Sequence, residues 1–406
     1  MQAALGVIYF LLSVAMYYFN MERIQLGVDL MYKVLLAAAV AGISFMVFLV
    51  RTNLGRARLL LKYICLLILP HLAVILVSMP IWVYRMQGGV VMRRGLMYQI
   101  YGIIAVLAMA GILYVFGEKG FWLNLAAMVT ANLITILEVI RAQGVGAYLA
   151  ELRKLIMTFA GETGELMGAV EIHELTFAIG LCLLFCMMNW KRIRKSPGVG
   201  LLLAAAVFCF LSGFKRIGIA AIAAAMLSRI ILGAVSGGRR RRWLMLFSFC
   251  AIGGMFVYIW LVKSGIYEFL SDYFHLDTMG RRELSWYIDE YYWIGPDYIG
   301  NGAGFVSRMF YDLPAEYTIR ALHNEILTIY IDIGFWGFWL WMLLYMPVRS
   351  WAMAKWQDVE GGILCCCAGL FVLLTAMTDN TINYTYVTGS LAISVMSYRL
   401  EALEGD

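Results

Sequence analysis

Long apolar runs separated by short polar breaks predict twelve membrane-crossing helices, near residues 3–19, 31–50, 61–83, 97–116, 120–139, 175–190, 199–214, 217–234, 243–263, 325–347, 361–378 and 385–398. Runs of this kind approach the roughly 20 apolar residues that carry a helix across the hydrocarbon core of a bilayer. The first of them, MQAALGVIYFLLSVAMYYFN, has no basic leader and no convincing cleavage site, and reads as a retained span. An even number of spans puts both termini on one side. Four short basic loops fall on that side, Arg51 to Lys62, Lys191 to Lys195, Arg239 to Arg242 and Arg349 to Lys355, so the positive-inside rule makes it cytoplasmic. One loop departs from the rule: Arg85, Arg93 and Arg94 fall between the third and fourth spans on the outer side, where they read as a basic patch for an anionic substrate, the alternative being that one of the early spans is misplaced.

Composition agrees with this pattern. Of 406 residues, 63% are apolar and only 14% charged, which excludes a water-soluble globule, and the reading is one integral membrane domain over 1–406. A net charge of +6 is too mild to argue for nucleic acid. All the cysteines, Cys65, Cys182, Cys186, Cys209, Cys250 and Cys365 to Cys367, lie in apolar runs, so no disulfide framework is predicted and the Cys-Cys-Cys run reads as small apolar helix residues.

Two outer segments are longer than turns. Residues 140–174 place Tyr148, Leu149, Leu152, Leu155, Ile156 and Phe159 at helical spacing with charges between them, predicting an extracytoplasmic amphipathic helix on the outer leaflet. Residues 264–324 form a large extracytoplasmic loop between the ninth and tenth spans, a length that is usually functional.

Candidate chemistry gathers on that outer side. Lys215 and Arg216 interrupt FLSGFKRIGIAAIAAAM, where each basic group at membrane depth costs about 3 kcal/mol, so two of them ask for either water reached by snorkelling or an anion. MGRRELSW carries Arg281, Arg282 and Glu283, and IGNGAGF carries Gly300, Gly302 and Gly304 without the strand-to-helix context of a dinucleotide site. His323, Asn324 and Glu325 stand at the mouth of the tenth span, with Asp332, Gly334 and Gly337 deeper. In TDNTINYTY, Asp379 and Asn383 read as turn and capping residues or as glycan-binding groups.

The ordered series HELTFAIGL (173–181), LSGFKRIGIA (211–220), MGRRELSW (279–286), IGNGAGF (299–305) and HNEILTIYIDIGFWG (323–337) resembles the O-antigen ligase and polymerase family of bacterial integral-membrane glycosyltransferases, which comprises Wzy-type polymerases and WaaL-type ligases. The resemblance covers roughly residues 170–345. It implies an all-α polytopic membrane protein of about twelve transmembrane helices with a GT-C-like glycosyltransferase architecture. The family's arginine of the mid-chain span falls on Arg216, its loop arginine after glycine on Arg281, and its histidine of the HN pair on His323. Many members have Ser-Arg where this chain has Lys215-Arg216, a form closer to polymerases of capsule or exopolysaccharide loci.

What the resemblance implies is transfer of a glycan from an undecaprenyl-diphosphate-linked oligosaccharide to a glycan acceptor at the outer face of the bacterial cytoplasmic (inner) membrane. Arg216 and Arg281 would neutralise the leaving diphosphate, with Lys215, Arg282 and Gly302 completing the donor site, and His323 would act as general base. Glu325, Asn324, Glu174, His173 and Asp379 are the acceptor-binding or orienting candidates, with Glu171 and Glu283 as further rivals for the base. No metal ion or other cofactor is implied, and a chain-length regulator is a further partner beside the lipid bilayer. Polymerisation of O-antigen, capsule or exopolysaccharide repeat units is the first expectation. Delivery of the finished glycan to a lipid or protein acceptor by a ligase is the alternative, and a lipid-linked sugar flippase or transporter is the alternative from another class.

Overall fold

The structure, a computed structural model, describes residues 2–19, 29–157, 174–193, 198–213, 215–273, 281–313 and 321–403. The described residues are helical, with no strand among them. In chain order the helices are α1 (Gln2–Tyr18), α2 (Asp29–Val50), α3 (Leu54–Tyr84), α4 (Gly89–Phe116), α5 (Lys119–Gln143), α6 (Val145–Met157), α7 (Glu174–Met188), α8 (Trp190–Ile193), α9 (Val199–Ser212) and α10 (Arg216–Ala234). There follow α11 (Arg239–Lys263), α12 (Ile266–Tyr273), α13 (Arg281–Asp289), α14 (Phe305–Tyr311), α15 (Glu325–Leu343), a π-helical turn (Leu344–Val348), α16 (Arg349–Trp356), α17 (Val359–Ala376), α18 (Thr385–Ser397) and α19 (Leu400–Leu403).

Each apolar run of the sequence coincides with one of these helices. Among the described residues, seven are long and apolar enough to cross a membrane, and four shorter apolar helices accompany them, which makes this a polytopic membrane protein.

The chain forms two compact units. Unit 1 comprises Met1–Cys65, Ile104–Arg229 and Thr385–Asp406, and unit 2 comprises Leu66–Ile103 and Ile230–Tyr384, so α3, α4 and α10 each contribute to both.

Within unit 1, α1 packs along α5 and α2, while α7 packs against α18, α9 and α5. The turn from α9 to α10 lies so close to α7 that a Cβ at Gly213 would overlap the Thr176 hydroxyl, so only glycine fits the approach. Helix α6 forms within the segment expected to be amphipathic; Tyr148 is buried and Leu152 part-buried against Ile136 and Val139 of α5, and Leu149 is exposed. The remainder of that segment, 158–173, lies outside the described residues.

Within unit 2, α11 packs on α15, α16 and α17. The tenth predicted span does not end at 347. Pro347 has no N–H for the helical ladder, and a π turn over Leu344–Val348 accommodates it, so the helix runs on through α16 to Trp356. Arg349, expected in a basic surface loop, is therefore buried: its guanidinium stacks 4.4 Å over the Tyr345 ring and Nη2 donates to the Leu67 carbonyl at 2.5 Å, beside the turn of α3 that Pro70 interrupts. Helix α17 starts where the Asp358 carboxylate accepts from the Gly361 N–H at 2.7 Å.

The large loop after α11 has its own order. Lys263 anchors the end of α13 by donating to the Asp289 carbonyl at 2.6 Å and pairing with its carboxylate at 2.9 Å. The irregular stretch that follows packs its aromatic side chains on α15. Tyr298 stacks on Tyr330 with ring centroids 5.5 Å apart and donates to the Ile331 carbonyl at 2.8 Å, while Tyr330 donates to the Trp293 carbonyl at 2.9 Å. Burial raises the phenols of Tyr292 and Tyr298 above the usual tyrosine range, so both remain neutral hydrogen-bond donors.

Candidate functional site

The HNE triplet at the start of α15 is bonded to the turn after α17 through Asn324 and Glu325, with His323 facing the same turn. His323 Nδ1 lies 3.6 Å from Asp379 Oδ1. The Asn324 side chain caps α15 by accepting from the Leu327 N–H at 3.1 Å, and its amide donates to the Tyr258 hydroxyl at 2.8 Å, which in turn donates to the Met377 carbonyl at 2.8 Å. The fully buried Glu325 accepts from the Ile382 N–H at 2.5 Å. Motifs far apart in sequence thus form one structural unit. Tyr258, whose sequence context reads only as an apolar span, is the residue that joins α11 to both.

His323 itself sits in the left-handed region with φ 47°, a conformation few residues other than glycine adopt. Backbone held there is paid for by its surroundings and is concentrated at functional positions. The imidazole is 32% exposed while the Asp379 side chain behind it is only 6% exposed. Asp379 is further held by the Asn380 N–H at 2.9 Å and the Tyr384 hydroxyl at 2.8 Å. A half-open imidazole with a fixed carboxylate at its back can accept a proton and stabilise the imidazolium that results.

The glycine-rich loop is held by the same helix. Helix α15 breaks at Gly334, with φ 72°, where a Cβ would collide with the backbone of Ile299 and Gly300. At the break the Asp332 carbonyl accepts from Asn301 N at 3.1 Å and Gly302 N at 2.6 Å, and the Phe335 N–H donates to the Tyr298 carbonyl at 2.8 Å. The Asp332 carboxylate takes the Gly304 N–H at 2.8 Å and the Val306 N–H at 3.1 Å. Ala303 N donates to Ser78 Oγ at 3.0 Å, and Trp82 Nε1 donates to the Ala303 carbonyl at 3.0 Å. The amides of residues 301 to 304 are thus committed to protein acceptors. Gly302, expected at the donor site, spends its N–H on α15 and lies against the Trp82 ring.

The arginines of the loop that departs from the charge rule bond to this glycine-rich loop. Arg85 Nε donates to the Gly300 carbonyl at 3.1 Å, and Arg94 donates to the Ser307 carbonyl at 3.1 Å with its guanidinium 4.0 Å over the Tyr311 ring. Arg93 is exposed. The described bonds of Arg85 and Arg94 thus hold the backbone of the loop.

Between the loop, α3, α4 and α15 lies a small cavity lined by Tyr98, Gln99, Ser307, Thr328, Asp332 and Asn383. Its interior of about 40 Å³ admits roughly three water molecules, too few atoms for a sugar ring. Two of its lining residues lead toward the histidine: the Thr328 hydroxyl donates to the carbonyl of the adjacent Asn324 at 3.0 Å, and Asn383 belongs to the turn that carries Asp379. Apart from Asn383, sequence reasoning left these lining groups unassigned. The one signal it offered was Asp332, an acid inside an apolar helix.

Lys215 and Arg216 belong to unit 1, where the Lys215 ammonium lies 5.7 Å from the centroid of the Phe177 ring and Arg216 opens α10. Arg281 and Arg282 open α13, and Glu174 opens α7; nothing of these three side chains is described. His173 and Glu171 lie outside the described residues. Among the described residues, no group of three or more His, Cys, Asp or Glu is placed to hold a metal ion. No protein family model matches the chain, and no curated protein matches it.

Proposed function

We propose that this chain is a membrane glycosyltransferase that polymerises polysaccharide repeat units carried on undecaprenyl diphosphate, working at the outer face of a bacterial cytoplasmic membrane through about twelve spans of GT-C-like arrangement. The observation that carries the reading is the His323–Asp379 pair, a half-exposed imidazole held in a strained backbone conformation against a buried carboxylate. His323 is the general base. It takes the proton of the acceptor hydroxyl as that oxygen attacks the anomeric carbon; the bond from that carbon to the diphosphate oxygen breaks, and the lipid diphosphate leaves with the electron pair. A single displacement of this kind inverts the anomeric centre.

Asp379 orients the imidazole and stabilises its charged form. Arg216 and Arg281, with Lys215 and Arg282 beside them in sequence, supply fixed positive charge for the leaving diphosphate, and the transfer requires no metal ion. The motif series from HELTFAIGL to HNEILTIYIDIGFWG supports this assignment of roles, as does the rarity of paired cations within apolar helices.

The test is purified protein given a lipid-diphosphate-linked oligosaccharide in detergent, with product length read by gel and mass spectrometry. Wild type is expected to extend the glycan with excess chelator present. His323→Ala is expected to lose at least a hundred-fold in rate, the usual size of a general-base contribution, and Arg216→Ala and Arg281→Ala to lose comparably at unchanged expression. Activity in His323→Ala near that of wild type would overturn the base assignment. Abolition by chelator with rescue by a divalent ion would overturn the metal-independent step.

A further inference from the structure

The run Arg239 to Arg242 divides into two pairs. Arg240 is used inside the protein: it pairs with Glu360 at 2.5 Å and donates to the Leu232 carbonyl at 3.0 Å. Arg241 donates to the Ala354 carbonyl at 3.0 Å, which fixes the end of α16 beside α11. Arg239 and Arg242 are exposed, and neither has a partner among the described residues.

Three residues apart, Arg239 and Arg242 share one face of α11. The same face continues through Trp243, Leu246 and Phe249, all exposed, so a pair of cations sits directly above an indole and an open apolar stripe. Exposed Trp351 on α16, with the Lys355 ammonium 5.1 Å from its ring, adds a second indole and cation at the same end of unit 2. Four adjacent arginines have a single described acid among them, Glu360, which leaves the outward pair in mutual repulsion that an external anion would relieve.

We propose that Arg239, Arg242 and Trp243 form a binding site for the headgroup of an anionic phospholipid, with one acyl chain lying along Leu246 and Phe249. The guanidinium fork matches phosphate oxygens, the indole belongs at the level where headgroup meets hydrocarbon, and the stripe below accepts a chain that a free phosphate does not have. A zwitterionic lipid carries its own ammonium beside the phosphate and gains much less from the pair. This site is independent of the glycan chemistry.

The experiment uses the full chain purified in detergent, stripped of lipid, and titrated with phosphatidylglycerol, phosphatidylcholine or inorganic phosphate, with bound lipid counted by native mass spectrometry. Phosphatidylglycerol is expected to bind preferentially, and Arg239→Gln and Arg242→Gln each to weaken it about five-fold, roughly twenty-five-fold together, with phosphatidylcholine unaffected. The preference should also shrink as salt is raised. Neither arginine holds a described bond within the protein, so both variants are expected to elute from size exclusion like wild type; unfolding of either would show that the pair is structural and overturn the assignment. Equal retention of the two lipids, unchanged phosphatidylglycerol binding in the double variant, or inorganic phosphate displacing the lipid as well as phosphatidylglycerol itself does would each overturn it too.

Discussion

Replacing Asp332 by alanine should loosen the glycine-rich loop before it affects any chemistry. The carboxylate is buried and accepts two backbone N–H groups, from Gly304 at 2.8 Å and Val306 at 3.1 Å. Hydrogen bonds to a charged group contribute about 1.5–3 kcal/mol each, so the pair is worth about 3–6 kcal/mol. Water lowers that figure, because Asp332 and Gly304 line a cavity able to hold it, and a freed amide can be rehydrated. The expected cost of Asp332→Ala is therefore about 3–4 kcal/mol. Asp332→Asn keeps one acceptor oxygen but turns an NH₂ toward the second amide, and should cost about half as much.

Thermal unfolding followed by tryptophan fluorescence measures the overall effect, and limited proteolysis of residues 299–313 reports the local one. The ranking expected is wild type, then Asp332→Asn, then Asp332→Ala, with cleavage in the loop appearing in the same order. An Asp332→Ala protein with an unshifted midpoint and an uncut loop would refute the reasoning. So would an Asp332→Asn protein of wild-type stability and no activity, since that result belongs to an acid that takes part in the chemistry.

Gly213→Ala should destabilise unit 1 by about 1–3 kcal/mol through overpacking against Thr176, and adding Thr176→Ala should recover part of the loss, a coupling that two independent sites would not show in a thermal-denaturation double-mutant cycle. A cysteine at position 290 should react with an impermeant maleimide added outside intact cells while one at 238 should not, in a background with Cys65 and Cys250 replaced; the reverse pattern would invert the proposed topology and the active-site face with it. Asp379→Asn, which keeps the shape and one acceptor oxygen of the buried side chain, should lower the rate of transfer while the protein still elutes from size exclusion like wild type. The carboxylate 3.6 Å from the imidazole is the group that would stabilise the imidazolium formed as the base takes its proton, so a rate near that of wild type in Asp379→Asn would remove Asp379 from the base.

Where the apolar runs were long and cleanly bounded, the helices were legible in the sequence, because burial of backbone polar groups in hydrocarbon leaves little else for such a segment to form. The end of α15 was not. Pro347 followed by Arg349 reads as a helix stop entering a basic loop, but a π turn absorbs the proline and buries the arginine against Tyr345 and the Leu67 carbonyl, partners supplied by other parts of the chain. Amphipathicity announced α6 without saying what would cover its apolar side; Ile136 and Val139 cover Tyr148. The candidate residues His323, Asn324, Glu325 and Asp379 were all legible as polar groups at the ends of apolar runs, whereas their mutual linkage through Tyr258 and Ile382 depends on tertiary contacts that no local pattern encodes.

Arg85 and Arg94 show how tertiary bonds bear on the choice of an anion site. Read from sequence, Arg85, Arg93 and Arg94 compete with Lys215, Arg216, Arg281 and Arg282 for the role of anion site. The bonds of Arg85 and Arg94 to the Gly300 and Ser307 carbonyls give both a structural role in the loop, since a guanidinium N–H that leaves its carbonyl for a phosphate abandons a part-buried acceptor. The diphosphate in the proposed reaction is left to the cations at 215, 216, 281 and 282, and this gives the arginine substitutions a differential outcome: Arg85→Gln should loosen the 299–313 segment in the same proteolysis assay that reports on Asp332, whereas Arg216→Gln should abolish transfer and leave that segment uncut.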